Sequence, residues 1–536
     1  MKTLIENPIL KGFNPDPSII RVGDDYYIAT STFEWFPGVQ IFHSTDLINW
    51  TLVARPLNRL SQLNMFGNPD SCGVWAPCLS YDNGTFYLVY SNARRYWSQC
   101  KDVHNYMVTS DDILGDWSEP TYLNSSGFDP SLFHDDDGSK WIINLQWDHR
   151  QREVGDKLNP ANYFGGIVMQ RFCEKQQKLI GPITKIFSGS PLGFSEGPHI
   201  YRRHGYYYLL VAEGGTGYEH AATFARAKAL HGPYHSDPNG PILTSINSDA
   251  SLQRAGHADI VDTPNGKSYM VHLCSRPLAN NRSVMGRETA LQQIEWHDSG
   301  WPRLIDGDKL PRDTIEFNGA PVADTLTNRF DDFDSTQLDI NFQTLRIPLS
   351  EDSLSLTQRR GYLRLKGKES LGSKFTQALV ARRQQSFIFE ASTRLDFIPQ
   401  TFQQMAGLTC YYNSEKYYYL HVTFDPSLGR ILEVTGCVEN EAAQYFTNAP
   451  IVLPPTGEIE LKAMVDHQRL RFAYRVVGKD WVTIAIDLDY SILSDEAGAG
   501  EHANFTGAFV GLCCQDLGGT NHPADFDYFH YHEYVS

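Results

Sequence analysis

The chain has 536 residues, with 63 acidic against 46 basic side chains and a formal net charge of −17. Hydrophobic residues make up 41% and charged residues 20%, a globular composition on a chain too long for a single core, so more than one domain is expected. The acidic balance excludes nucleic acid and anionic membrane as natural partners, since both require basic surface. No apolar run reaches the roughly 18 residues of a transmembrane helix. The N-terminal MKTLIENPILKGFNPDPS lacks the apolar core of a signal peptide. The nine cysteines are scattered, odd in number and without a CxxC pair, which points away from a disulfide framework or a zinc site and toward a cytoplasmic setting. Aromatic residues reach 12%, a load that suits β structure and surfaces that stack on flat apolar faces such as sugar rings.

In chain order, the first 300 or so residues repeat one unit: a short apolar strand, an Asp/Asn/Gly turn and an aromatic-rich strand. The copies are IIRVGDDYYIATS, CLSYDNGTFYLVYS, LFHDDDGSKWIINL, HIYRRHGYYYLLVAE and DIVDTPNGKSYMVHL. Such turns between alternating apolar runs are the strongest short-range hairpin signal. With Asp25, Gly84, Gly138, Gly205 and Gly266 as turn markers, each interval fits a four-stranded sheet with its loops. The fold class predicted is all-β, with residues 1–310 a five-bladed β-propeller. A β-sandwich built of hairpins is the competing architecture for this region.

Nine positions before each marker stand Asp16, Trp75, Asp129, Glu196 and His257, in the contexts NPDPS, GVWAP, FDPSL, SEGPH and GHADI. In a propeller the entrances of the innermost strands meet around one end of the central channel, so this shared spacing predicts convergence. Taken singly, each acid reads as turn chemistry, Trp75 as core and His257 as a buried, satisfied histidine. Taken together, three carboxylates beside an aromatic suit glycoside hydrolysis. One acid protonates the leaving oxygen and another activates water or attacks, while a third raises the first one's pKa. Acids with histidine also bind Ca²⁺, and a sugar-binding propeller without catalysis has the same outline.

Residues 311–328 read as a linker rich in Pro, Gly and Asp. After it, period-2 alternation in YLRLKG, FIFEASTRLDF, KYYYLHVTF, RILEVTGCV, EIELKAMVD, RLRFAYRVV, WVTIAIDL, GAFVGLCCQ and FDYFHYHEYV predicts a β-sandwich over 329–536. If its first and last strands pair, Asp332, Asp334, Asp525 and Asp527 would be placed to share a structural Ca²⁺. Ordinary exposed acids on alternating strand faces are the competing expectation. No cofactor is called for by the chemistry itself.

NPDPS, VWAP, FDPSL and SEGPH, in that order, resemble the family 43 glycoside hydrolases, inverting enzymes on a five-bladed propeller. FTGAFVGLCCQDL and ADFDYFHY resemble the β-sandwich appended in that family's intracellular β-xylosidases. The resemblance implies Asp16 as general base, Glu196 as general acid and Asp129 as the acid that tunes and orients Glu196. Asp129 as base is the alternative. The resemblance also implies Trp75 and Phe33 as apolar walls, Arg287 as a donor to sugar hydroxyls and His257 as a support from the channel below. From the sandwich it implies a phenylalanine that closes the pocket, for which Phe505 is the candidate and Phe509 the alternative. Asp70 and Glu213, near blade entrances, are read as bystanders. The activity implied is exo-β-1,4-xylosidase on xylobiose and short xylo-oligosaccharides, with an α-L-arabinofuranosidase side activity. An arabinan-directed hydrolase and a non-catalytic xylan-binding protein are the alternatives. A homo-oligomer, tetramer or dimer, is implied as well.

Overall fold

The computed structural model describes residues 2–96, 100–150, 160–318, 327–438, 441–447, 449–498 and 504–535. Five antiparallel sheets of at least four strands fill the N-terminal part, and their first strands are Ser18–Val22, Gly73–Asp82, Ser131–His134, Glu196–Arg203 and Gln253–Asp262. Each first strand packs on the next, and the fifth returns to the first, so the sheets close a ring. The repeated hairpins are the first two strands of each sheet. In two of the turns, Asn83-Gly84 and His204-Gly205, both residues have positive φ, as a two-residue turn matched to strand twist requires.

A two-stranded ribbon covers the seam between the first and fifth sheets: Lys2–Glu6 pairs antiparallel with Thr314–Asn318. Ile5 and Ile315 are buried there in one cluster with Ile19, Ile28, Val261 and Tyr269. The segment expected to be a linker therefore begins with a strand, because Ile315 has apolar surface to cover; residues 319–326 lie outside the described residues.

The C-terminal part is a sandwich of two sheets. One contains Ile388–Asp396, Ile459–Asp466, Arg469–Val476 and Pro523–Glu533; the other contains Ala378–Arg383, Phe509–Asp516, Gln404–Asn413, Lys416–Asp425 and Gly429–Val438. Two of these strands, Ala378–Arg383 and Gln404–Asn413, carry no alternation in sequence. The reason is that their sheet is covered on both faces. Val380, Leu408, Val510 and Leu512 face the sandwich core, whereas Leu379, Ala381, Tyr411 and Phe509 join a cluster with Phe13, Phe33, Trp35 and Trp75 of the propeller. A strand buried on both faces reads as a continuous apolar run. In contrast, WVTIAIDL forms only the short pieces Val482–Thr483 and Leu488–Asp489.

Backbone pairing also crosses the boundary, with Trp35–Phe36 on Thr344–Leu345. Beside it Arg346, fully buried, donates from Nε to Asn68 O at 2.7 Å and from Nη2 to Asp70 Oδ1 at 2.6 Å. Asp70 is thus no bystander to the structure. Removing one partner of a buried pair strands the other charge, at about 3–5 kcal/mol. Arg346→Met is expected to lose that much in urea unfolding, and adding Asp70→Asn should recover part of it.

The structure does not gather the four aspartates named for calcium into one cluster. The outer strands do pair, Asn328–Asp331 against Pro523–Glu533. However, Asp525 accepts from Arg364 Nε at 2.7 Å and Arg359 Nη1 at 2.7 Å, and Asp527 lies 3.0 Å from Arg394 Nη1. Guanidinium groups occupy the oxygens that a hard cation would need. Asp332 accepts the Asp334 N–H at 3.1 Å, a local turn. Among the described residues no group of three or more His, Cys, Asp and Glu is arranged to hold a metal ion. Among them, too, no helix is long and apolar enough to cross a membrane.

Candidate active site

Eight of the residues singled out in sequence line one cavity of about 200 Å³ at the mouth of the ring: Asp16, Asp129 and Glu196 with Phe33, Trp75, His257, Arg287 and Phe505. Local backbone explains how. Asp16 (φ 55°), Ala76 (φ 36°), Asp129 (φ 55°), Gly197 (φ 55°) and His257 (φ 40°) are all left-handed, one per sheet at the strand entrance. Such conformations are unfavourable for non-glycine residues and collect at functional sites. Four of the five precede proline. The equivalent residues are therefore Ala76 and Gly197, not Trp75 and Glu196, which stand one position earlier. The nine-residue step misses this because Gly84 and Gly205 sit in two-residue turns, whereas Gly138 and Gly266 sit in five-residue turns and Asp25 lies just past its own turn. Gly197 is required twice over: its φ is left-handed, and a Cβ there would meet the His257 ring at 2.9 Å.

Asp16 is held by three groups. Ser31 Oγ donates to Oδ2 at 2.6 Å, Arg287 Nη1 donates to Oδ1 at 3.2 Å, and His257 Nδ1 lies 3.7 Å from Oδ1. Ser31 Oγ in turn accepts the Ala76 N–H at 2.8 Å, joining the first two sheets beneath the carboxylate. Burial pushes the Asp16 carboxyl up, but Arg287, His257 and the Ser31 bond outweigh it, and the group is held below its ordinary range. Burial drives His257 down to about 4, so at neutral pH Arg287 supplies the charge.

Glu196 has the opposite balance. Burial, then the charge of Asp16, lifts it to about 8 against the weaker pull of Arg287 and Lys101. Asp129 is also raised, by burial and then by Glu196 and Asp16. Its Oδ2 accepts the N–H of Gly197, next to Glu196, at 3.2 Å. Glu213, expected to be a bystander, supports the other flank by accepting from Ser195 Oγ at 2.6 Å and Ser190 N at 2.8 Å. The surroundings therefore favour the ionised form of Asp16 and oppose ionisation of both Glu196 and Asp129.

The walls are aromatic. Phe505 lies 5.9 Å from Phe33, 6.3 Å from Trp75 and 5.3 Å from Tyr96, centroid to centroid. The Arg287 guanidinium sits 5.4 Å from both the Phe33 and the Phe505 rings, a doubled cation–π contact. Phe509 is core, stacked 3.7 Å from Trp35. Gly286 lets the sandwich loop approach, since a Cβ there would meet Thr506 O at 2.0 Å. Lys101, Trp147, Thr216 and His220 also line the cavity, without a signal in the sequence; none belongs to a repeated hairpin entrance.

Comparison with known proteins identifies the family. Residues 5–302 match the glycosyl hydrolases family 43 model. The chain belongs to glycosyl hydrolases family 43. Residues 330–532 match the beta xylosidase C-terminal concanavalin A-like domain, so this family 43 protein carries both parts. It is 49% identical to a beta-xylosidase of Bacillus subtilis (strain 168), over 99% of each chain. It is 50% identical to a xylosidase/arabinosidase 43B of Humicola insolens, over 98% of this chain and 97% of the relative. The crystal structure of a xylan beta-1,4-xylosidase from Bacillus halodurans C-125 superposes with a TM-score of 0.94 at 48% identity, covering 99% of this chain and 100% of that one.

The carboxyl balance of this family 43 site sets a pH window. On the roles the family resemblance implies for Asp16 and Glu196, activity is expected to fall on the alkaline side near about 8 and on the acid side only below the ordinary carboxylate range. The stability sign follows from the same shift. A carboxyl raised in the folded state stabilises fully below its unfolded pKa and loses that contribution as pH rises through about 8. Thermal melts of wild type and Glu196→Gln across this range should converge at the acid end, with the wild type losing ground as pH rises.

Proposed function

We propose that the protein is an inverting, exo-acting β-1,4-xylosidase that releases xylose from the non-reducing end of xylobiose and short xylo-oligosaccharides. The observation that carries this is Asp16, Asp129 and Glu196 lining one small cavity that a sandwich phenylalanine closes on one side, with surroundings that lower Asp16 and raise Glu196. In the step proposed, Asp16 takes a proton from water as the water oxygen bonds to the anomeric carbon. The glycosidic C–O bond breaks, and Glu196 gives its proton to the leaving oxygen. Both carboxyl groups then return to their starting states through solvent. Asp129 positions Glu196 through the Gly197 amide, and Arg287 offers its remaining N–H groups to sugar hydroxyls. Phe33, Trp75 and Phe505 exclude water and cover the apolar sugar face; His257 supports Asp16 from the channel side.

The test is hydrolysis of xylobiose followed from time zero by proton NMR. Xylose appearing first as the α-anomer at the cleaved centre is the expected result. The β-anomer first would break the water-and-base mechanism, and no cleavage would sink the xylosidase reading. A second activity on α-L-arabinofuranosides is favoured by one observation, the relative at 50% identity named a xylosidase/arabinosidase. A cytoplasmic setting is part of the proposal, supported by the free thiols of Cys72, Cys78, Cys274, Cys410, Cys513 and Cys514. Self-association as a dimer or tetramer is also part of it, supported by the family resemblance and tested by light scattering.

A further inference from the structure

We propose that Ser71 is a positioning residue that fixes the closed end of the pocket, holding a wall from each domain at once. The proposal rests on the reading of this cavity as the sugar pocket. Ser71 is fully buried and left-handed, with φ 58°. Each of its polar atoms has a separate task. Its Oγ accepts the Phe505 N–H at 3.0 Å, across 434 positions of sequence. Its carbonyl accepts the Trp75 indole Nε1–H at 3.0 Å. Its own N–H donates to Glu34 Oε2 at 3.1 Å.

The other side of the Phe505 residue is also held by the propeller, because Arg287 Nη2 donates to Phe505 O at 3.1 Å while Nη1 reaches Asp16. Phe505 is a sandwich residue whose backbone N–H and C=O both end on propeller side chains. The hold on Ser71 comes back from the sandwich. Arg346 donates its N–H to Glu34 O at 2.8 Å and binds Asn68 O and Asp70 with its guanidinium, which pins residues 68–71. The contacts form a closed loop: sandwich Arg346 fixes the kink at Ser71, and Ser71 fixes sandwich Phe505 beside Trp75. A wall that touches substrate and transition state alike contributes uniform binding, so loosening it raises KM and leaves kcat nearly unchanged.

Ser71→Gly isolates the Oγ contact, since glycine accepts the left-handed backbone and keeps the N–H and carbonyl bonds. Ser71→Ala is the second variant, with a Cβ retained. In either, KM for xylobiose should rise about three- to tenfold, the range of one hydrogen bond, with kcat within about twofold. Amide hydrogen exchange at Phe505 should quicken in the full-length protein. In a Phe505→Ala background the Ser71 substitution should raise KM no further, because the ring it positions is gone. An unchanged exchange rate, a wild-type KM, or losses that add in the double variant would each overturn the proposal. The exchange measurement needs no substrate, so failure of the xylosidase reading shows separately, as absent cleavage by the wild type.

Discussion

Asp16→Asn is expected to lower kcat on xylobiose by about 10²–10⁴-fold, the range of a general base. The substitution keeps the shape and an oxygen that can still accept from Arg287, so folding should survive and the loss should report chemistry. It also removes the charge that, after burial, does most to raise Glu196. The alkaline limb of the remaining activity should therefore move down in pH. That second effect separates a lost base from a merely disturbed pocket. Steady-state turnover across pH checks both, and near-normal kcat would reject Asp16 as the base.

Glu196→Gln is expected to cost a similar factor on xylobiose, whose leaving sugar hydroxyl departs poorly without a proton. On an aryl xyloside with an acidic phenol as leaving group the loss should be about tenfold or less, because departure no longer waits for protonation. The alkaline limb near about 8 should vanish with the carboxyl that produces it. Equal losses on the two substrates would reject Glu196 as the acid. Asp129 would then need reconsideration, since it is raised as well and touches the same strand through Gly197.

Much of this site is legible in one dimension because a propeller repeats a short-range unit. Each hairpin is specified by its own turn and its own alternation, and the strand entrances converge by symmetry. The Asp-Pro of NPDPS and FDPSL and the proline of GVWAP and SEGPH mark the left-handed position directly. The marker spacing was less informative than those prolines, because turns of different length shift a fixed step by one residue. Phe33, Arg287 and Phe505 were reached through resemblance to a family, since nothing in their local sequence points at a pocket.

What the chain determined alone was therefore the local and repeated part: hairpins, strand entrances, the three acids and the second domain's alternating strands. What only the tertiary structure decided was everything set by contact across distance. The strands Ala378–Arg383 and Gln404–Asn413 hide their period because the propeller covers the face that would otherwise be polar. Asp525 and Asp527, two of the aspartates named for calcium, are engaged by Arg359, Arg364 and Arg394, which are remote in sequence. Asp70 and Ser71 look like turn residues until Arg346 and Phe505 arrive from the other domain. Even the carboxyl assignments are tertiary: Asp16 and Glu196 shift in opposite directions because one has Arg287 and Ser31 beside it, while the other has burial and the charge of Asp16. Hydrogen-bonding and alternation are written into neighbouring residues, whereas burial and electrostatic field are sums over the folded whole.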